Sequence, residues 1–380
     1  MTEWYCPLPF KHAFVDSTGV AACCQTPRQQ VSLAEWPTNQ YLLQLQQQVL
    51  SGKIPTVCQG CVAQEKSQGV SLRTAALKDY NYRKFTKTEI DFIDYRSSNI
   101  CNFKCRSCEP RFSHGIAVEL QRNHELEKFY QPLQQKIVYV DNDNAEWVRE
   151  NLPQIKRLML TGGEPTYIPA VKLIVERVIY DQLDIDLMIT TNASFVDDFW
   201  CEATRLHKKL HWTISLDAVG DAAKIVRYGS DWDVVTRNTK WLAQNSTSMD
   251  INTVISNLNL LQLYPLLKFV NQLQKDSIFP RGQHGKQGCR HQFHICQPNS
   301  YRSACNWPDH LRHPVMDHLR QCLTLELDPE QKNMVIGLLH QIQESKFDSH
   351  LWDRSEEFNN ILDSARQQNH KILFENIQHI

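Results

Sequence analysis

The chain has 380 residues, long enough for one large domain and a smaller one. Hydrophobic residues make up 42 % and charged residues 22 %, an ordinary globular balance that excludes a disordered or fibrous chain. Lys plus Arg (41) and Asp plus Glu (42) nearly cancel, so no global positive field draws nucleic acid, and no such partner is expected.

In chain order, the start Met1-Thr2-Glu3-Trp4-Tyr5-Cys6 carries neither a basic nor an apolar targeting region. No apolar run approaches the roughly 18 residues of a membrane helix, so no membrane partner is expected. Thirteen cysteines in such a chain point to a reducing cytoplasm, and there to metal rather than disulfides.

Residues 1–88 read as a cysteine-bearing, irregular domain. Residues 12–16 and 20–23 form a predicted hairpin with Gly19 in its turn, and 39–51 a helix. Residues 89–300 alternate short apolar runs with amphipathic stretches, the βαβ pattern of a parallel α/β sheet. Strands are expected at 90–95, 157–161, 186–190, 211–216, 250–255 and 292–296. Helices are expected at 112–131, 169–180, 196–208 and 232–245. Residues 301–380 read as a helical C-terminal region.

The densest chemistry is Cys101-x3-Cys105-x2-Cys108, directly after the first of these six strands. Three thiolates cannot close a four-thiolate metal site; on a cubane iron–sulfur cluster they leave one iron open. A zinc reading would need a fourth ligand, with His114 nearest. After the second strand comes Thr161-Gly162-Gly163-Glu164-Pro165. Its glycines permit close backbone approach, and the Glu164 carboxylate can accept charge-assisted hydrogen bonds. Thr190-Thr191-Asn192 ends the third strand, and Ser215-Leu216-Asp217 the fourth. Arg227 follows ten residues later, and Asn252-Thr253-Val254-Ile255 lies on the fifth.

The triplet and the Gly-Gly-Glu-Pro run together resemble the radical S-adenosylmethionine (SAM) enzymes. The resemblance implies a partial (β/α)6 TIM-like barrel with its chemistry at the C-terminal strand ends. It implies a [4Fe–4S] cluster on Cys101, Cys105 and Cys108, with SAM bound at the open iron. Gly162, Gly163 and Glu164 would hold the SAM amine. Asn192, Ser215 and Asp217 would contact its ribose and methionine portions, Arg227 its carboxylate and Val254 its adenine. Such enzymes cleave SAM reductively to a 5′-deoxyadenosyl radical that abstracts hydrogen from a substrate. The chain departs from the family at Ser107, where an aromatic residue often stands, and lacks the glycines of the fuller fifth-strand motif.

Cys6, then Gly19-x4-Cys24, then Cys58-x2-Cys61 is similar to the auxiliary-cluster half of twitch and SPASM extensions, here ahead of the barrel. The element Gly52-Lys53-Ile54-Pro55 before Cys58 and the later Glu65…Gly69-Val70-Ser71-Leu72-Arg73 fit the same likeness. It implies a second, fully ligated [4Fe–4S] cluster on Cys6, Cys24, Cys58 and Cys61, with Cys23 competing with Cys24. A four-cysteine zinc knuckle is the alternative. Twitch and SPASM relatives act on peptides and on small molecules such as sugars and nucleosides. A peptide is the leading substrate expectation, and a flavodoxin or ferredoxin the expected electron donor. A non-catalytic zinc-binding scaffold is the rival from another class. Cys289, Cys296, Cys305 and Cys322 match no compact ligand pattern, and Cys201 reads as core.

Overall fold

The computed structural model describes residues 4–68, 71–130, 137–276 and 289–377. Ten strands stand among the described residues: β1 (His12–Asp16), β2 (Gly19–Ala21), β3 (Phe92–Arg96), β4 (Lys104–Cys105), β5 (Arg157–Thr161), β6 (Asp186–Thr191), β7 (Leu210–Ser215), β8 (Arg227–Tyr228), β9 (Ser248–Ile255) and β10 (Cys289–Ile295). The fold is mixed α/β, with parallel strands and many helices. The chain divides into two compact units: Met1–Asn99 with Val138–Ile189, and Ile100–Ile137 with Thr190–Ile380.

In the first unit β1 pairs antiparallel with β2 and parallel with β3. β3 pairs parallel with β5, and β5 with β6. The hairpin is therefore part of the parallel sheet and not a separate lobe. Its turn needs Gly19: φ is +128°, and a Cβ there would sit 2.1 Å from the Gln29 carbonyl oxygen. Helix Gln40–Leu50 starts where the Asn39 side chain accepts hydrogen bonds from the Tyr41 and Leu42 amides, and it buries Leu42, Leu45 and Val49. Helix Pro169–Tyr180 has proline in its first turn and buries Val171, Ile174, Val175 and Val178.

In the second unit β7, β9 and β10 run parallel, and β7 buries Leu210, Trp212 and Ile214 in strict alternation. β4 and β8 form a separate short antiparallel pair. Helices Asp309–Cys322, Pro329–Glu344 and Ser349–Arg366 make the C-terminal region. Cys305 and Cys322 are core residues there, packed with Trp307, Leu319 and Leu338.

The single helix expected over 112–131 is instead a 3-10 turn Pro110–Phe112, a helix His114–Arg122 and a 3-10 stretch His124–Phe129. Asn123 breaks it: its backbone is extended, and its side chain accepts from the Glu125 amide. Gln131 lies outside the described residues. So do Gly69, Val70, 277–288 within the expected barrel, and 378–380 of the helical region. Among the described residues no helix is long and apolar enough to cross a membrane.

Candidate active site

The second unit holds the cysteine triplet on a loop whose backbone is pinned at Cys101, Phe103, Cys105, Arg106 and Cys108. The Cys101 amide donates to His114 Nδ1 at 3.2 Å, so that ring nitrogen is engaged with the backbone. The Phe103 amide donates to Cys101 Sγ at 3.4 Å, and the Phe103 carbonyl accepts from Ser113 Oγ at 2.7 Å. Cys105 pairs with Arg227 across the β4–β8 ladder. The Cys108 amide donates to the Cys105 carbonyl at 3.1 Å, and the Arg106 amide to Val226 at 2.9 Å. Gly229, at φ +100°, passes so close that a Cβ would lie 2.8 Å from the Asn102 carbonyl oxygen.

Arg106, between the second and third cysteines, is 2 % exposed. Its guanidinium donates to the Ile225 carbonyl at 3.2 Å, the Asn359 side chain at 3.0 Å and Gln368 at 3.1 Å, and it pairs with Asp363. Asp363 in turn accepts from the buried His370 ring at 2.7 Å. Arg366 forks onto Glu119 at 3.0 and 2.6 Å, and Glu119 also takes Lys104 at 2.9 Å. The helix Ser349–Arg366 thereby clamps both the cysteine loop and the helix behind it. No sequence signal marks this clamp, because its partners lie some 250 residues from Arg106.

Several predicted polar residues converge on this loop. Asn192 Nδ2 donates to Asn102 Oδ1 at 2.9 Å, and Asn102 donates to Ser194 Oγ at 2.9 Å. Asp217 accepts from Arg227 Nη1 at 2.8 Å and from the Val254 amide at 2.8 Å. Ser215 lies opposite Asn252 in the β7–β9 register, and Asn252 Oδ1 is buried with no partner among the described residues. Cys105, Arg227, Asp217 and Val254 therefore form one connected chain. Burial pushes the Cys105 and Cys108 thiols up, Cys108 to about 12, while the Arg227 cation pulls both down. Burial opposes the Arg227 charge, but Cys105, Asp217 and Cys101 together hold it above its ordinary value.

The first unit carries the Gly-Gly-Glu-Pro turn at the end of β5. Gly162 and Gly163 take φ of +81° and +56°. A Cβ on Gly162 would lie 2.8 Å from the Arg96 Cβ, so a side chain is excluded twice over. Glu164 is 1 % exposed, and its Oε1 accepts from the Thr166 hydroxyl at 2.8 Å.

The same unit gathers the N-terminal thiols. Cys6, Cys23 and Cys61 are buried, Cys58 is half-buried and Cys24 is exposed. Cys6 and Cys23 share an apolar cluster with Leu8 and Ala76. Burial first, then the thiols of Cys23, Cys58 and Cys61, push the Cys6 thiol far up. Burial also pushes Cys23 to about 11 and, with the Cys23 and Cys61 thiols, Cys58 to about 12. Cys23 is buried and shares the apolar cluster of Cys6, whereas Cys24 is exposed. A turn holds Cys23: the Thr26 amide donates to the Cys23 carbonyl at 3.1 Å, and the Cys23 amide to Thr26 Oγ1 at 3.1 Å. Glu65 binds Ser71 at 2.6 Å and forks onto Arg73, whose Nη1 reaches the Tyr5 carbonyl at 3.0 Å, next to Cys6. Among the described residues no three His, Cys, Asp or Glu side chains converge tightly enough to hold a metal ion. The thiols of both groups are neighbours without meeting at one point, and a four-iron cube needs its ligands farther apart than a single ion does.

Residues 95–270 match the family model of the Radical SAM superfamily. That segment, somewhat under half of the chain, is similar to a radical SAM domain. The match spans the cysteine triplet, Gly162–Glu164, Asn192, Asp217, Arg227 and Val254, and leaves out the N-terminal cysteines. Proteins named GTP 3',8-cyclase from Campylobacter jejuni subsp. doylei and Campylobacter jejuni are 26 % identical over 183 residues, 48 % of this chain and 52 % of theirs. The chain thus spans about half the length of the curated relatives it matches. Streptococcus suis SuiB bound to S-adenosylmethionine aligns with 65 % of this chain and 51 % of its own, at 17 % identity and a TM-score of 0.39. Native anSMEcpe with bound AdoMet aligns with 60 % and 57 %, at 18 % identity and a TM-score of 0.38. Likeness at that level carries no argument about substrate.

Proposed function

We propose that the chain cleaves SAM reductively, with Cys101, Cys105 and Cys108 as ligands of a [4Fe–4S] cluster whose fourth iron is open to SAM. The observation that carries this reading is the pinned loop. It fixes three thiols, sets a half-buried cation, Arg227, beside two of them and ties Asn192 to the same loop through Asn102. Bound there, the cluster supplies the electron that releases a 5′-deoxyadenosyl radical from SAM. Asp217 holds Arg227 charged and oriented, and Val254 borders a cavity that also reaches Ser107. Gly162, Gly163 and Glu164 are the residues the motif offers as acceptors for the SAM amine. The parallel strands β3, β5 and β6, and separately the parallel strands β7, β9 and β10, are the candidates for the strands of a partial (β/α)6 barrel.

The second cysteine group is proposed to ligate an auxiliary [4Fe–4S] cluster through Cys6, Cys58, Cys61 and Cys23, in place of Cys24. Four protein thiolates close that cluster, which suits it to electron relay or structure. The proposed setting is the cytoplasm, with a flavodoxin or ferredoxin as donor. A peptide is the proposed substrate. A nucleotide is the second reading, favoured by the name of the curated relatives.

The test is anaerobic reconstitution followed by SAM and dithionite. The expected result is about eight irons per chain and 5′-deoxyadenosine. Zinc, with no deoxyadenosine, overturns the reading. GTP and a short peptide encoded beside the gene then compete as substrates, and deuterium transfer from one of them into deoxyadenosine decides between the two readings.

A further inference from the structure

The β7–β9 ladder ends at the pair Ser215 and Asn252. Just past it the Leu216 amide donates to the Asn252 carbonyl at 2.9 Å, and the Val254 amide to Asp217 Oδ1 at 2.8 Å. One further side chain ties the two strand ends together. Asn259 Nδ2 donates to the Asp217 carbonyl and to the Val254 carbonyl, each at 2.8 Å. Its Oδ1 accepts from the Ser256 amide at 2.8 Å and from the Ser256 hydroxyl at 2.9 Å.

A side-chain amide has two donor hydrogens and two acceptor lone pairs, and Asn259 uses all four. Its partners also fix its orientation. Carbonyls only accept and a backbone amide only donates, so the nitrogen faces the strand ends and the oxygen faces Ser256. Asn259 is 4 % exposed, and a buried polar group satisfied in this way holds one geometry.

The residues it ties are two that the SAM reading needs at a set spacing. Asp217 Oδ2 accepts from Arg227 Nη1 at 2.8 Å, and Arg227 pairs with Cys105 across the β4–β8 ladder. A shift of Asp217 against Val254 therefore carries Arg227 with it. The loop that bears Asn259 also packs behind Arg227, because Leu258 shares an apolar cluster with Ile225 and Val226.

We infer that Asn259 is a positioning residue for SAM, setting the spacing between Arg227, proposed for the SAM carboxylate, and Val254, proposed for its adenine. The inference rests on the radical SAM reading above. The Asn259 side chain is fully occupied by protein partners, so it acts through Asp217 and Val254. Setting two contacts before the ligand arrives is preorganisation, which shows in affinity more than in the chemical step.

The test uses the reconstituted holoenzyme with dithionite and SAM, and reads deoxyadenosine formation against SAM concentration. Asn259→Ala is expected to raise the KM for SAM at least about tenfold, with kcat at saturating SAM within about twofold and iron content unchanged. Ser256→Ala removes one of the four bonds and is expected to raise KM about two- to fivefold; it decides the matter if Asn259→Ala does not fold. Thr204→Val is the control. It deletes another buried bond of the same unit, from Trp212 Nε1 at 3.1 Å, and is expected to leave KM unchanged. An unmoved KM in the Asn259 and Ser256 variants overturns the inference. So does a fall in kcat at constant KM, which moves Asn259 to the chemical step, and so does an equal rise in Thr204→Val, which makes the effect one of general stability. A wild type that forms no deoxyadenosine overturns the radical SAM reading and the inference with it. A wild type that forms it while the variants keep their KM overturns the inference alone.

Discussion

The two cysteine groups are presented in opposite ways. The N-terminal group draws its thiols from three separate places: the chain before β1, the turn after β2, and the junction of the 3-10 turn Thr56–Cys58 with helix Gln59–Gln68. Its thiols are mostly buried in an apolar setting, and four of them act on one another. The triplet instead occupies one short loop, where backbone hydrogen bonds hold all three cysteines and a cation stands beside the thiols. In the proposed reading, four thiols drawn from separate places would close a cluster, and three on one short loop would leave an iron open. The difference separates a centre that keeps its ligands from one that admits a reactant.

The strongest break of this comparison is at the triplet. Cys105→Ala is expected to abolish deoxyadenosine formation and to lower iron from about eight to about four per chain, as read by chromatography and iron assay. The next largest effect sharpens the other side. Cys23→Ser is expected to remove about four irons while Cys24→Ser removes none; equal loss from both would return Cys24 to the ligand set. Arg106→Gln leaves the half-buried Asp363 and the buried Asn359 without their cation. We expect it to destabilise the second unit by about 3–5 kcal/mol in urea unfolding, with all three thiols still present. Gly162→Ala forces a Cβ into a left-handed turn and against Arg96, and should cost about 1–3 kcal/mol by the same measurement. The smallest effect is on pH. Burial opposes the charge of Glu119 and Asp363, but Arg366 with Lys104, and His370 with Arg106, hold both carboxyls below their ordinary range. A lowered folded pKa means that their stabilisation is full above about pH 4–5 and fades as pH falls through the folded values. The urea midpoint should fall on that acid limb, and Glu119→Gln should flatten it.

Local features were legible in the sequence. Strand β5 and the helices Pro169–Tyr180 and Trp232–Asn245 stand at their predicted bounds, because their apolar spacing and terminal Pro or Asp residues act within the element. Non-local features were not. The parallel pairing of β1 with β3 joins segments about 80 residues apart, and a hairpin pattern says nothing of what its outer edge meets. At the triplet, spacing named the thiols, but the Arg106 clamp comes from the far end of the chain. At the N-terminal group, Gly19-x4-Cys24 singled out Cys24, whereas the structure buries Cys23 and exposes Cys24. Two adjacent cysteines differ only in which way a turn aims them. Asn259 carried no signal, since a side chain that ties two strand ends is visible only once both are in place.

The measurement that tests the open-versus-closed contrast most directly is electron paramagnetic resonance of the reduced, reconstituted protein with and without SAM. The account predicts two cluster signals, of which one shifts when SAM is added. That one should vanish in the Cys101→Ala/Cys105→Ala/Cys108→Ala variant, leaving the other insensitive to SAM. A SAM-sensitive signal that survives in this variant would contradict the assignment of the open iron to the triplet.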